Sequence, residues 1–301
     1  MKKFSLVLIV LFSISLSCKK EYSLQKFSIS DPITDIGYSA KTFAVSNQAD
    51  LLLKTPTGLK IHIPAYSFVN KLGQVIADNI IIEVKEYLRP GAMILYDKPS
   101  SAGGRPLESG GEFLIGATSG TEKLKLAPGV FIQLDLPKTG VKLSGMRVFN
   151  GVVNSSLPDN VDWAINTNSG NVVTPIDSSS LSAYSLFCDS IDWINCDRYA
   201  AQQVVDYTIY SGNSPDPDKT IAYIHFTGRN SVISADTVGS PIIFRAGVLE
   251  GPATVVGICI KNGERYVSLS SVTMKRGGSV TMNNFIKMTE EELKQKLRAL
   301  R

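Results

Sequence analysis

Short runs in which apolar and polar residues alternate recur from about residue 42 to residue 274, and most are closed off by Gly, Pro, Asn or Asp. A period of two puts alternate side chains on opposite faces of a strand, so one face of each run has to be covered by another layer. Within residues 58–64, Leu59, Ile61 and Ile63 oppose Lys60 and His62. Within 130–136, Val130, Ile132, Leu134 and Leu136 oppose Phe131, Gln133 and Asp135. Ile80, Ile82, Val84 and Glu86 likewise alternate with Ile81, Glu83 and Lys85. Further strands are expected over residues 42–46, 93–96, 113–117, 147–153, 204–210, 221–226, 242–248, 255–260 and 266–274. Many short strands separated by turn residues imply an all-β chain, organised as two β-sandwich domains of the Ig-like or Greek-key type.

Two local signals refine this picture. Asn262-Gly263 lies between two β-rich runs and calls for a hairpin with a type I′ turn, which needs positive φ at both central residues. The C-terminus carries the one expected helix: Thr289 can cap Glu292, Met288 can staple to Leu293, and acidic residues 290–292 give way to Lys294, Lys296 and Arg298. Leu293, Leu297 and Leu300 form its apolar stripe, expected to dock on the adjoining sandwich. The glycine-rich stretch 100–111 precedes a strand, not a helix, so it lacks the context of a phosphate-cradling loop and is expected to be a mobile surface connection.

The start of the chain has the parts of a lipoprotein signal. Lys2 and Lys3 are followed by an uncharged run from Phe4 to Ser17 and then by Cys18, Lys19 and Lys20. The apolar run is too short for a stable span, and small Ser17 precedes the cysteine. Two or three acyl chains on Cys18, at about 0.8 kcal/mol per buried methylene, would hold the protein stably on a membrane. The lipobox usually has Leu three residues before the cysteine; here Ser15 stands there and Leu16 follows it. Loss of the leader removes Lys2 and Lys3, taking the charge from 31 − 27 = +4 to 29 − 27 = +2. So near-neutral a body, with no basic stripe, argues against nucleic acid as a partner.

Three stretches resemble a group of Bacteroidota surface lipoproteins: Ile63-Pro64-Ala65 with Phe68-Val69, then Leu107-Glu108-Ser109-Gly110-Gly111, and Trp193-Ile194-Asn195-Cys196-Asp197-Arg198. They span roughly residues 50–200. The first is also distantly similar to the β-sandwich module of zonula-occludens proteins and netrin receptors. The resemblance implies a sandwich fold and, with Lys19 after the cysteine, an outer-membrane location, facing either the periplasm or the exterior. The group has no established activity to carry over.

Chemistry-bearing constellations are sparse. Cys188 and Cys196 are close enough to bridge a loop, with two reduced core thiols as the alternative, whereas Cys259 in Val-Val-Gly-Ile-Cys-Ile reads as a buried small hydrophobe. The two histidines, His62 and His225, lie far apart and away from any cysteine pair at ligand spacing, so no metal and no cofactor is expected. His225-Phe226-Thr227 looks like the sites at which some β-sandwich proteins cut themselves. Thr227 would attack the Phe226 carbonyl and His225 would act as base, against the plainer reading of an alternating strand. Carboxylates such as Glu83 with Glu86, or Asp216 with Asp218, could serve a hydrolase only if the fold assembles them, and no nucleophile elbow or zincin motif is present. The aromatic and polar run 193–198 is expected to be a junction between sandwiches, with Asp192 and Asp197 satisfying loop backbone.

The expected organisation is a signal over residues 1–17, a tether over 18–40, a first sandwich over 41–140 and a β-rich connection over 141–200. A second sandwich over 201–287 and the helix over 288–301 complete it. The expected role is non-catalytic binding or surface architecture, with the membrane reached through the lipid and a protein or glycan as partner. Self-processing at Phe226-Thr227 and an envelope hydrolase are the alternatives.

Overall fold

The computed structural model describes residues 38–137, 143–154, 157–176, 182–235, 239–242, 244 and 247–300. Cys18 and the expected signal therefore lie outside the described residues. Among the described residues the chain is all-β apart from two short α-helices and one 3-10 turn, Pro217–Lys219. The first half contains β1 (Tyr38–Val45), β2 (Leu51–Lys54), β3 (Lys60–Ile63), β4 (Phe68–Val69), β5 (Ile80–Tyr87), α1 (Pro90–Leu95), β6 (Ser101–Ala102) and β7 (Arg105–Ser119). It continues with β8 (Glu122–Lys123), β9 (Lys125–Leu126), β10 (Ile132–Pro137), β11 (Arg147–Asn154), β12 (Leu157–Ile165), β13 (Val172–Pro175), β14 (Ser182–Cys188) and β15 (Asp192–Tyr199). The second half contains β16 (Val204–Val205), β17 (Tyr207–Tyr210), β18 (Thr220–Phe226), β19 (Val232–Ser234), β20 (Val248–Leu249), β21 (Gly251–Lys261), β22 (Glu264–Met274), β23 (Gly278–Thr281), β24 (Ile286–Lys287) and α2 (Glu290–Leu297).

The first sandwich pairs a large sheet, ordered β1-β5-β7-β15-β11-β12, with a five-stranded sheet, ordered β13-β14-β10-β3-β2. Their inner faces meet over the rows anticipated from alternation. Leu59, Ile61 and Ile63 pack with Ile80, Ile82, Val84, Ile132, Leu134 and Leu136 in one buried cluster. Glu86 falls on the buried row of β5, where Thr55 and Thr57 donate to its Oε1 at 3.1 and 2.5 Å.

Residues 141–200 are not a connection. They supply β11, β12 and β15 to one sheet and β13 and β14 to the other, so the first sandwich runs from Tyr38 to Tyr199. Its strands pair across long sequence separations, as in the register of β10 with β14 from Ile132↔Cys188.

The second half folds around the sheet β19-β18-β21-β22-β24. Alternation along β18 sends Ala222, Ile224 and Phe226 into a cluster with Val255, Met274 and Met282, which the small pairs β16–β20 and β17–β23 help to close. The opposite face carries Tyr223, Val256, Ile258 and Val267. These pack with Leu293, Leu297 and Leu300 at the C-terminus and with Tyr38, Tyr87 and the α1 residues of the first half. The C-terminal helix is thus wedged between the two halves, not laid on one.

Two further expectations are corrected. Residues 93–95 belong to α1 and Tyr96 is its C-cap, so 93–96 is not a strand: Pro90 occupies the first helical turn after extended Arg89, and its fixed φ suits a helix start. The glycine-rich stretch 100–111 is no mobile surface connection, since it forms β6 and the first half of β7 with residues 106–111 buried. Gly111 adopts φ +139, and a Cβ there would lie 2.8 Å from both Leu88 Cδ2 and Phe113 Cζ. The glycine is required by conformation and by close packing.

Candidate functional site

Two of the stretches that carry the family resemblance turn out to be hydrogen-bonded neighbours. β7 and β15 pair antiparallel with Asn195↔Glu112, Asp197↔Ser109 and Arg198↔Glu108, and the register shifts between Asn195 and Asp197. Such a bulge re-aims side chains while keeping the ladder. Asn195, Asp197 and Glu112 are fully buried on the outer face of the large sheet, while Ile194 and Cys196 point into the sandwich core. Asn195 Nδ2 donates to Asp197 Oδ2 at 2.7 Å, Ser109 Oγ to Asn195 Oδ1 at 3.2 Å, and Ser100 Oγ to Glu112 Oε1 at 2.9 Å. Burial pushes the Glu112 carboxyl well above the usual carboxylate range, and the nearby Asp197 adds to the shift. Burial likewise raises Asp197, against its bonds to Ser109 and Asn195.

The second half reaches into this network through the loop after β18. Asn230 Nδ2 donates to the carbonyls of Leu88 and Ser109 at 2.9 and 2.8 Å, and Ser109 N donates to Asn230 O at 2.8 Å. Glu108, almost fully buried, accepts from Arg198 Nε at 2.7 Å and Nη2 at 2.5 Å, and also from Arg229 Nη1. Asp97, at the end of α1, accepts from Tyr223 OH at 2.9 Å. Trp193 stacks on Tyr87 with centroids 5.8 Å apart, meets Trp163 edge-on at 6.2 Å, and has Lys98 Nζ 5.0 Å from its ring.

The run 193–198 therefore lies at the junction of the two halves, by a route other than the expected one. Asp197 bonds a side chain, and the backbone of the first half is held by Asn230 of the second. A closed set of carboxyl groups can fix geometry and hold protons, but a substrate cannot touch Glu112 or Asp197 as they stand. Glu83 and Glu86 do not converge either: Glu83 pairs outward with Lys85 at 2.9 Å, and Glu86 faces the core.

His225, Phe226 and Thr227 lie at the end of β18. His225 is buried on the Tyr223 face with Nε2 3.2 Å from Arg229 O, and burial lowers its pKa to about 4. Thr227 is exposed in the following turn, where its N–H donates to Pro252 O at 3.0 Å. Phe226 is in register with Ala253. Cys188, Cys196 and Cys259 are free and buried. Cys188 on β14 and Cys196 on β15 sit in opposite sheets of the first sandwich and share its core, the second of the two alternatives, two reduced core thiols.

An accessible site lies elsewhere, on the outer face of the five-stranded sheet. Direct cross-strand partners there form the row Leu52, His62, Gln133, Phe187, Val172, one residue from each strand. The next row contains Lys54, Lys60, Asp135, Ser185 and Thr174. A cleft of about 300 Å³ opens on this face, lined among others by Asp50, Leu52, His62, Phe131, Gln133 and Phe187. Leu52, at the cleft, is 62% exposed, Val172 at the far end of the row is 44% exposed, and both phenylalanines are half-buried. Asp135, in the next row, accepts from Gln133 Nε2 at 2.9 Å and Ser185 Oγ at 2.8 Å, and its Oδ2 lies 3.5 Å from His62 Nε2.

Alternation had marked His62, Gln133 and Asp135 only as the solvent side of their strands. Nothing local indicated that β14, distant in sequence, would bring Phe187 beside them. Neither tryptophan faces this cleft: Trp193 packs at the junction, and Trp163 is buried beside it in a cluster of first-half residues. No family model, curated protein or solved structure matches the chain.

Proposed function

We propose that this chain is a lipid-anchored outer-membrane protein whose β-sandwich body has a non-catalytic binding or structural role. The observation that carries the binding part is the contrast between the two polar regions. The carboxyl-rich one is closed and joins the halves, whereas the outer face of the five-stranded sheet is open, shaped and mixed in polarity. The anchoring part rests on the leader ending at Cys18.

The test is intact mass on protein purified from membranes, with protease shaving of whole cells on the same sample. An acylated, unbroken chain beginning at Cys18 is the expected result, and removal by external protease would place it on the cell surface. A mass without acyl groups overturns the anchor. A break between Phe226 and Thr227 would replace the binding role with self-processing.

A further inference from the structure

We infer that the cleft on the outer face of the five-stranded sheet is a saccharide-binding site, one that takes a short, uncharged, linear glycan laid across the strands. This rests on the binding role proposed above and names its ligand class. The shape agrees with that ligand. The volume of about 300 Å³ is at the low end for small-molecule sites. The row from Leu52 to Val172 crosses four strand spacings, about 19 Å, so an extended oligosaccharide can follow it.

The chemistry of the lining agrees as well. A pyranose presents apolar C–H faces and hydroxyl edges, and the cleft alternates in the same way. Phe131 and Phe187 offer half-exposed ring faces, with Leu52 and Pro64 beside them. His62 lines the cleft, but its Nε2 is buried 3.5 Å from Asp135 Oδ2 and is not offered to a ligand. Gln133 donates through Nε2 to Asp135, and no bond to its Oε1 occurs among the described residues, leaving a carbonyl oriented by its own amide. Asp50 Oδ1 accepts from Ala65 N at 2.8 Å, which fixes the carboxylate at the cleft wall. Amide and carboxylate held on separate elements suit adjacent hydroxyls, which both donate and accept.

Other occupants fit less well. A wholly apolar peptide face would strip water from Asp50 and Gln133 without replacing their hydrogen bonds, at about 1–3 kcal/mol for each group. An anionic glycan would meet the Asp50 carboxylate at the cleft wall.

The experiment is calorimetric titration of the full chain, purified from membranes in detergent, with malto-, cello-, xylo- and manno-oligosaccharides and with oligogalacturonate as the anionic comparison. Saturable binding of at least one neutral series is expected. It should weaken tenfold or more in both Phe187→Ala and Gln133→Ala, while Val152→Ser on the other sheet binds like the parent. Each variant's melting curve is recorded, and Gln133→Glu, which keeps the shape, serves as a second variant should Phe187→Ala unfold. No binding by any neutral series, preference for oligogalacturonate, or binding indifferent to these changes overturns the inference. A photo-crosslinker at position 52 separates this failure from failure of the wider reading. Specific attachment to one envelope protein, with no glycan bound, would retain a binding module and discard the saccharide.

Discussion

Glu108 is held from both sides of the junction, by Arg198 of its own sheet and by Arg229 of the second half. Arg229→Met leaves an almost fully buried carboxylate with one guanidinium in place of two. The expected loss is about 1.5–3 kcal/mol, the range for hydrogen bonds to charged groups. Urea midpoints will measure it, and exposed Arg276→Met should stay within about 0.5 kcal/mol of the parent. Glu112 and His225 pull stability in opposite directions with pH. Glu112 is raised from 4.5 by burial, so the folded state binds a proton that the unfolded chain releases. Its contribution is complete below about pH 4 and is lost as pH rises towards the folded-state value. His225 falls from 6.5 to about 4, so its contribution is present above about pH 6.5 and is lost on acidification towards pH 4. Glu112→Gln is therefore expected to be more stable than the parent at pH 8, with an advantage that shrinks by pH 5. An advantage that is flat across denaturation curves at the two pH values would mean that Glu112 is ionised in the folded state.

At the scale of elements, those whose chemistry is local formed as their residues dictate. Asn262 and Gly263 have φ 53 and 77, the positive pair a type I′ turn needs, and β21 and β22 pair on either side of them through Lys261↔Glu264. Thr289 Oγ1 accepts from Glu292 N at 3.2 Å, and Glu292 Oε2 accepts from Thr289 N at 2.7 Å, closing a capping box. Thr289→Ala is expected to cost about 1 kcal/mol. Because Leu293 and Leu297 are buried between the halves, that loss should appear in the global unfolding transition, not as fraying alone. Hydrogen exchange of the amides of residues 290–297 distinguishes the two. Elements whose chemistry is not local were harder to read. The segment 93–96, taken alone, suits a strand, and its place at the end of a six-residue helix follows from Pro90 and from the burial of residues 90–95, four of them in the cluster shared with the second half. The glycines of 100–111 look mobile until β15 and the loop at Asn230 pack against them.

For the whole molecule, the junction combines an apolar cluster drawn from both halves with buried ion pairs and backbone contacts. Interfaces of that kind make neighbouring domains unfold together. A single transition is expected, with tryptophan fluorescence, which reports Trp193 at the junction and Trp163 beside it, coinciding with far-ultraviolet circular dichroism. Two separated transitions would show that the halves are independent. The open sheet face is the complement of this arrangement: the large sheet uses its outer face for the junction, and the five-stranded sheet leaves its own outer face to solvent.

The sequence alone determined the β class, the face assignments of β3, β5, β10 and β18, the hairpin at Asn262-Gly263 and the capped helix. These depend on period, turn conformation and capping, which act within a few residues. Only the tertiary structure decided that residues 141–200 complete the first sandwich, that Glu108, Glu112 and Asp197 close a junction with Arg229 and Asn230, and that Phe187 joins His62 and Gln133 in a cleft. Strand order and domain contacts bring together residues some 45 to 140 positions apart. Alternation tells a strand which face is buried, but not which strand will lie beside it.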